Sequence, residues 1–218
     1  MAREWGTGSR TAAVAALLAS LVFTGCGSTA VEEHDDDGEH PLSLTYGGTG
    51  QVGIAEPENV GPGGTWHGMF GKFILCVAQG RGPITINSVD WAEREGAQPI
   101  SVAAFVRKIE ISDTSPILNA HGSMRDPHHK ARTGALEFRD YIEGVEVLAK
   151  CPEAGWPEVA QEMFIELEAG PEGASIHDVT VSYTTPDGKR YKVRSDWTFY
   201  LCGATATEYC ENNPDNNR

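Results

Sequence analysis

Three histidines and one methionine lie close together in a polar stretch of this chain. They are His121, Met124, His128 and His129, in the run His-Gly-Ser-Met-Arg-Asp-Pro-His-His. Imidazole nitrogen with thioether sulfur suits copper, and imidazole alone suits zinc, nickel or copper. The spacing therefore predicts a site in which these four side chains hold copper or zinc. The alternative is a solvated polar loop in which Met124 covers an apolar patch.

A second histidine–methionine pair, His67 and Met69, lies far away in the sequence. It can join the first set only if the fold brings the two stretches together. Arg125 and Lys130 lie within the histidine-rich stretch, and their positive charge works against cation binding.

Sequence motifs of catalysis are missing from the chain. It has no Gly-x-Ser-x-Gly, no Ser-x-x-Lys and no His-Glu-x-x-His. It also lacks a glycine-rich phosphate loop that would follow a strand and open a helix. The sequence favours a non-enzymatic protein without a cofactor other than the copper or zinc considered above.

Short β-type runs separated by turn residues make up most of the chain, and residues 112–134 form a long polar interruption. Apolar residues alternate with period two over 158–168, which indicates a strand although the composition also suits a helix. Residues 65–78 predict either two strands or one strand with a bulge. The clearest hairpin signal is Pro186–Lys189. The predicted strands cover 42–46, 52–55, 65–78, 84–91, 100–111, 136–148, 158–168, 179–184, 190–193 and 197–202.

This spacing, without a long amphipathic helix, predicts an all-β fold. The expected fold is an immunoglobulin-like β-sandwich with Greek-key-type connections, formed by residues 41–210. The tryptophans Trp66, Trp91, Trp156 and Trp197 are candidates for a carbohydrate-stacking surface. Trp91 and Trp197, however, lie in strand patterns typical of core or sheet-edge positions.

Four cysteines, Cys76, Cys151, Cys202 and Cys210, predict two disulfides in an exported protein. Their spacing favours Cys202–Cys210 as a short loop, with Cys76–Cys151 as a long-range link. The rival pairing is Cys76–Cys202, because both of these cysteines lie in strong strand patterns. A zinc site formed by these cysteines instead of disulfides is disfavoured, since the chain has no Cys-x-x-Cys.

A fifth cysteine, Cys26, ends an apolar run that follows Arg3 and Arg10. The run Thr11–Thr24 is shorter than a membrane span, and its positive flank and small residue Gly25 indicate a cleaved export signal. Thr24-Gly25-Cys26 resembles the lipobox of bacterial lipoproteins, with Phe23 at the position where leucine is usual. The resemblance implies that acyl chains such as palmitate modify Cys26 and hold the protein at the extracytoplasmic face of the cell membrane.

The chain is thus expected to comprise a signal peptide (1–25), a lipidated cysteine with a flexible acidic stalk (26–40), a β-sandwich domain (41–210) and a polar tail (211–218). Its formal charge is −14, or −15 without the signal. Such a charge disfavours nucleic acid as a partner. Together, the lipobox, acidic stalk and cysteine-containing sandwich resemble small uncharacterised lipoproteins of actinobacteria.

Two functional hypotheses follow. The first is a lipid-anchored, non-enzymatic module that binds an envelope protein or polymer, or has a structural role there. The second is a lipoprotein that handles copper or zinc through the histidine-rich loop.

Overall fold

The chain folds into two β-sheets in the computed structural model. The structure describes residues 40–44, 49–80, 82–111, 119–155 and 157–204. These residues contain eleven strands and one helical turn, α1 (Lys130–Thr133). The strands are β1 (Leu42–Ser43), β2 (Thr49–Ile54), β3 (Trp66–Val77), β4 (Ile84–Glu93), β5 (Ser101–Glu110), β6 (Asn119–His121), β7 (Glu137–Arg139), β8 (Glu146–Val147), β9 (Val159–Ala169), β10 (Ala174–Thr184) and β11 (Arg190–Leu201).

The first sheet, sheet 1, has the order β1-β3-β9-β5-β7, and β6 pairs with β3 beside this path. Sheet 2 has the order β2-β11-β10-β4-β8. The pairs between these strands are antiparallel except β2 with β11, which is parallel. The sheets end on the same side of the molecule with two short strands, β7 and β8.

The inner faces of both sheets share one apolar core. Phe70 and Phe73 of sheet 1 lie 5.1 and 5.5 Å, between ring centroids, from Phe199 of sheet 2. A fully buried side chain of this size contributes about 1.5–3 kcal/mol relative to an exposed one. Tyr183 adds a polar link between the sheets, since its hydroxyl oxygen accepts a hydrogen bond from the Leu42 N–H at 3.4 Å. Burial raises the pKa of Tyr183 to about 12. The predicted all-β class is therefore confirmed.

Several strand predictions are confirmed, and two are corrected. The predicted run 136–148 contains only the short strands β7 and β8, which are separated by a turn at Gly144. The apolar stretch at 65–78 forms a single strand, β3, with a bulge between Phe70 and Phe73. Residues 158–168 form a strand, as their period of two predicts. The hairpin at Pro186–Lys189 joins β10 to β11. The runs 190–193 and 197–202 were expected to be separate strands, but β11 continues from Arg190 to Leu201. It pairs with β10 on both sides of a register shift, and from Asp196 onward it also pairs with β2.

Sheet 1 is buried on its outer face as well, and this face contains a buried ion pair. Arg107 and Glu162, on the neighbouring strands β5 and β9, are both fully buried. Arg107 Nε and Nη2 donate to Glu162 Oε2 at 2.8 and 2.6 Å. The bulge in β3 gives Lys72 a φ of 65° and directs its N–H to Glu162 Oε1 at 2.8 Å. Each oxygen of the Glu162 carboxylate thus has a donor, as burial requires.

The predicted disulfide Cys76–Cys151 is present, with 75 residues between its ends in sequence. This bond excludes the rival pairing Cys76–Cys202. Two hydrogen bonds flank it, from the Val77 N–H to the Ala149 carbonyl at 2.8 Å and from the Cys151 N–H to the Val77 carbonyl at 3.1 Å. Cys202 is also disulfide-bonded, and its predicted partner Cys210 lies outside the described residues.

Other predictions concern residues outside the described ranges. They are the signal peptide, lipidation at Cys26, the acidic stalk up to residue 39, the polar tail 211–218 and the exposure of Trp156.

Removal of the Cys76–Cys151 bond should lower the free energy of unfolding by about 2–4 kcal/mol, because the bond closes a long loop in the unfolded chain. The test is chemical denaturation of the Cys76→Ala/Cys151→Ala protein against wild type. Ser43→Ala is a matched control, since Ser43 lies opposite Cys76 in the sheet and takes no part in the bond. An unchanged unfolding midpoint in the double variant would contradict this expectation.

Candidate functional site

The histidine-rich stretch packs against the outer face of sheet 1. Residues 119–133, here called the covering segment, begin with β6 on the edge of β3 and end with α1. The N–H of Gly122 donates to the His67 carbonyl at 2.9 Å, which extends the pairing with β3. The φ of Gly122 is 99°, a conformation that favours glycine at this turn. Ala120 and Met124 of the covering segment pack against sheet 1 in a small apolar cluster. The cluster consists of Met69, Phe105, Ala120, Met124 and Phe164.

Glu166 of β9 fastens the covering segment to the sheet. Its carboxylate accepts hydrogen bonds from the Met124 N–H at 2.6 Å and from the Ser123 hydroxyl at 2.7 Å. His67 Nδ1 lies 3.0 Å from Glu166 Oε1, within ion-pair distance but poorly oriented for a hydrogen bond. The carboxylate is almost fully buried, so these donors replace the water that it loses.

Met124 belongs to the core of this region. Its side chain is fully buried in the apolar cluster. The alternative interpretation of Met124, as a residue that covers an apolar patch, is the one that the structure supports. The polar stretch 112–134 thus contributes two of its described residues, Ala120 and Met124, to an apolar cluster.

The three histidines of the stretch lie in different surroundings. His128 is exposed, and its N–H donates to Asp126 Oδ1 at 2.9 Å. His129 Nε2 lies 3.0 Å from the His121 carbonyl oxygen, to which it can only donate a hydrogen bond. Partial desolvation, and then the nearby charge of Lys130, lower the pKa of His121 and favour its neutral form.

Within the described ranges, no group of three or more His, Cys, Asp or Glu side chains is placed to hold a metal ion. A site that used all four predicted ligands would require the Met124 sulfur to leave its apolar cluster. The second histidine–methionine pair lies close to this stretch. His67 contacts Glu166, which binds the covering segment, and Met69 packs in the same apolar cluster as Met124. Copper or zinc binding by His121, Met124, His128 and His129 stays a prediction.

The tryptophans that the structure describes pack against the core. Trp66 is buried, and Trp91 and Trp197 are partly buried against the inter-sheet core. These positions agree with the core interpretation of Trp91 and Trp197.

A cavity of about 470 Å³ opens at the side of the sandwich where both sheets end. We call it the edge groove. Its volume falls in the range of about 300–1,000 Å³ that is typical of ligand sites. Sheet 1 and the segment around β8 form its two walls. The lining residues are Lys108, Glu137, Arg139, Gly144, Glu146, Leu148, Ala149, Val159 and Gln161.

The edge groove exists because inward-facing positions at this end of sheet 1 are polar. Lys108 lies two residues beyond the buried Val106 on β5, and Gln161 lies two residues before the buried Met163 on β9. Residues two apart point to the same face of a sheet. The sandwich is therefore held open where Lys108 and Gln161, which are paired in register, replace core residues.

The charged residues of the edge groove are partly paired with each other. Arg139 Nε donates to Glu137 Oε1 at 2.8 Å. This hydrogen bond, and then the charges of the surrounding acidic groups, raise the pKa of Arg139. In the described part of the chain, Lys108 has no ion pair or side-chain hydrogen bond. Lys108 is thus the cation that remains for a ligand.

Exposed apolar side chains collect on the segment that forms the groove walls. Four large apolar residues are exposed among the described residues, namely Ile100, Leu136, Tyr141 and Leu148. The last three lie between residues 136 and 148, and Leu148 lines the groove itself. Exposed apolar groups rimmed by polar ones are typical of binding surfaces. Sequence reasoning missed this site, although Lys108 and Gln161 interrupt the apolar alternation of their strands.

A second cavity, of about 400 Å³, lies at the tip of the β10–β11 hairpin beside Pro41 and Tyr191. Its acidic residue, Asp187, is hydrogen-bonded by the Thr185 hydroxyl at 2.5 Å, and this bond lowers the pKa of Asp187. The edge groove is the better candidate, because the exposed Leu148 and residues of the edge strands β7 and β8 line it.

No protein-family model, curated protein or solved structure matches this chain. In the described part of the chain, no helix has the length and apolar character needed to cross a membrane.

Replacement of Glu166 by leucine should release the covering segment. The substitution removes the acceptor of the buried Met124 N–H, and an unsatisfied buried donor costs about 1–3 kcal/mol. We expect faster hydrogen exchange at the Met124 amide and a lower unfolding midpoint for Glu166→Leu. Glu168→Leu is the matched control, because Glu168 lies on the same strand and its carboxylate accepts a hydrogen bond from the exposed Ser101 hydroxyl instead of from the covering segment. Equal exchange rates at Met124 in the two variants would show that Glu166 does not hold the segment.

Proposed function

We propose that this protein is a lipid-anchored, non-enzymatic binding module of the cell envelope, and that the edge groove is its binding surface. The observation that carries the proposal is a groove of ligand size at the open side of a β-sandwich, lined by charged residues and by the exposed apolar side chain of Leu148. The fold supplies a rigid frame, and the function depends on this site.

The proposed tether rests on the sequence. The N-terminal region has three features typical of a lipoprotein signal: a positive segment, an apolar run too short to span a membrane, and Gly25-Cys26. Two or three acyl chains on Cys26 would give stable anchoring, whereas a single chain gives only marginal binding. The acidic stretch 27–40 would then separate the groove-bearing domain from the membrane.

The sandwich is proposed to be immunoglobulin-like, and the strand order supports this. Constant-type immunoglobulin domains place their first, second, fifth and fourth strands in one sheet and the third, sixth and seventh in the other. Here β1, β3, β9 and β5 follow the first order, and β4, β10 and β11 follow the second. The disulfide differs, since Cys76–Cys151 joins β3 to the segment after β8. A second bond, Cys202–Cys210, is part of the same proposal.

Replacement of the predicted lipidation site should free the protein from the membrane. We expect wild type in the membrane fraction and Cys26→Ser in the soluble or secreted fraction with an unchanged β-type circular dichroism spectrum. Cys76→Ala/Cys151→Ala, which removes cysteines without touching the signal, is the control for cysteine loss. If Cys26→Ser stays in the membrane fraction, the lipid anchor is refuted.

A photo-crosslinking residue at the edge groove should form adducts in intact cells. We expect a site-specific adduct from position 148 and none from position 100. Leu148 and Ile100 are matched in exposure, at 64% and 58%, but Ile100 lies away from the groove. Equal adduct formation at both positions, or none at position 148, would count against a binding role for the groove.

A further inference from the structure

We infer that the edge groove takes an extended peptide segment that carries an acidic side chain, and that this segment adds as a strand along the edge of β8. The inference rests on the proposed binding role of the groove and specifies its partner. Strand addition of this kind supplies backbone hydrogen bonds for affinity and side-chain pockets for specificity.

The pairing of β8 with β4 determines which backbone groups are left at its edge. The Ile86 N–H donates to the Val145 carbonyl at 2.9 Å, and Val147 lies opposite Ile84. Hydrogen-bonding direction alternates along an antiparallel ladder. The N–H and C=O of Val147 therefore point to β4, while those of Glu146 and Leu148 point away from it.

Gln161 shows that these outward groups face the groove. Its Nε2 donates to the Glu146 carbonyl at 2.9 Å from across the opening. The Gln161 amide thus occupies the place in which an added strand would put a backbone N–H. In the described part of the chain, the N–H groups of Glu146 and Leu148 and the carbonyl of Leu148 have no hydrogen-bond partner. They are the groups that a peptide backbone would meet.

The charges in the groove favour an acidic side chain on that peptide. Glu137 is held by Arg139, and Glu146 also lies in the field of Arg139. Lys108 points into the opening without an ion pair in the described residues. A carboxylate on the face of the peptide that meets sheet 1 would form an ion pair with Lys108. Apolar residues beside it on the peptide would contact Leu148.

A peptide fits the groove better than a sugar does. None of the nine lining residues in the described part of the chain is aromatic, although an aromatic ring is the usual platform for a sugar ring. The short edge strands β7 and β8 flank the opening, and exposed strand edges are templates for pairing with another chain.

The test is amide chemical-shift mapping of the full-length protein in detergent with defined probes. The first probe is the acetylated and amidated peptide Thr-Val-Glu-Val-Thr. The second replaces its Glu by Lys, and the third carries N-methyl groups on alternate amides of the first. We expect the first peptide to shift the Glu146 and Leu148 amides and to bind roughly fivefold more tightly than either of the others.

A charge reversal in the protein makes the test specific. In Lys108→Glu the preference should invert, so that the Lys peptide binds more tightly than the Glu peptide. Lys189→Glu, at the exposed hairpin tip, is the matched control and should leave the preference unchanged. Equal binding of the N-methylated peptide, or an unchanged preference in Lys108→Glu, would overturn the inference.

A neutral N-acetylglucosamine oligosaccharide separates this inference from the proposed function. If no peptide shifts the groove amides but the oligosaccharide does, the partner class is wrong and the binding role stands. If neither shifts them and position 148 forms no adduct in cells, both proposals fail.

Discussion

Burial of two carboxylates on one strand is the constraint on which much of this structure depends. Strand β9 is covered on both faces, and its outer face carries Glu162 and Glu166. A buried carboxylate without donors is strongly unfavourable, so each must be supplied with partners by a neighbouring element. Arg107 and the bulge of β3 serve Glu162. The covering segment serves Glu166, and its position on the sheet follows from this requirement.

This constraint explains the polar stretch that stands out in the sequence. Its inner side consists of Ala120 and Met124, which complete an apolar cluster, and of backbone and hydroxyl donors directed to Glu166. Its histidines occupy the outer side and the turns, where the segment meets solvent. A segment that has the composition of a polar loop can therefore be a fixed part of a core when a few apolar residues, here Ala120 and Met124, point to the sheet.

Local pattern was enough to predict most of the strands and the hairpin, because alternation and turn chemistry act over a few residues. The period-two alternation over 158–168 likewise predicted that β9 is a strand and not a helix. Local pattern did not predict the continuity of β11, which depends on pairing with two different strands, β10 and β2, that are distant in sequence. The edge groove was also beyond local pattern. Lys108 and Gln161 become neighbours only through the β5–β9 register, and the opposite wall comes from β8 in the other sheet.

The polar residues in the edge groove have two physical consequences. Inward-pointing charges near a sheet edge oppose indiscriminate pairing with apolar strands, which is a common protection against aggregation. Lys108 has this effect on any segment that would place an apolar side chain beside it. The same charge favours a segment that offers a carboxylate at that point. Lys108 thus both opposes aggregation through this edge and selects among peptide strands. A strand with an apolar side chain at that point is disfavoured, and a strand with a carboxylate there is favoured.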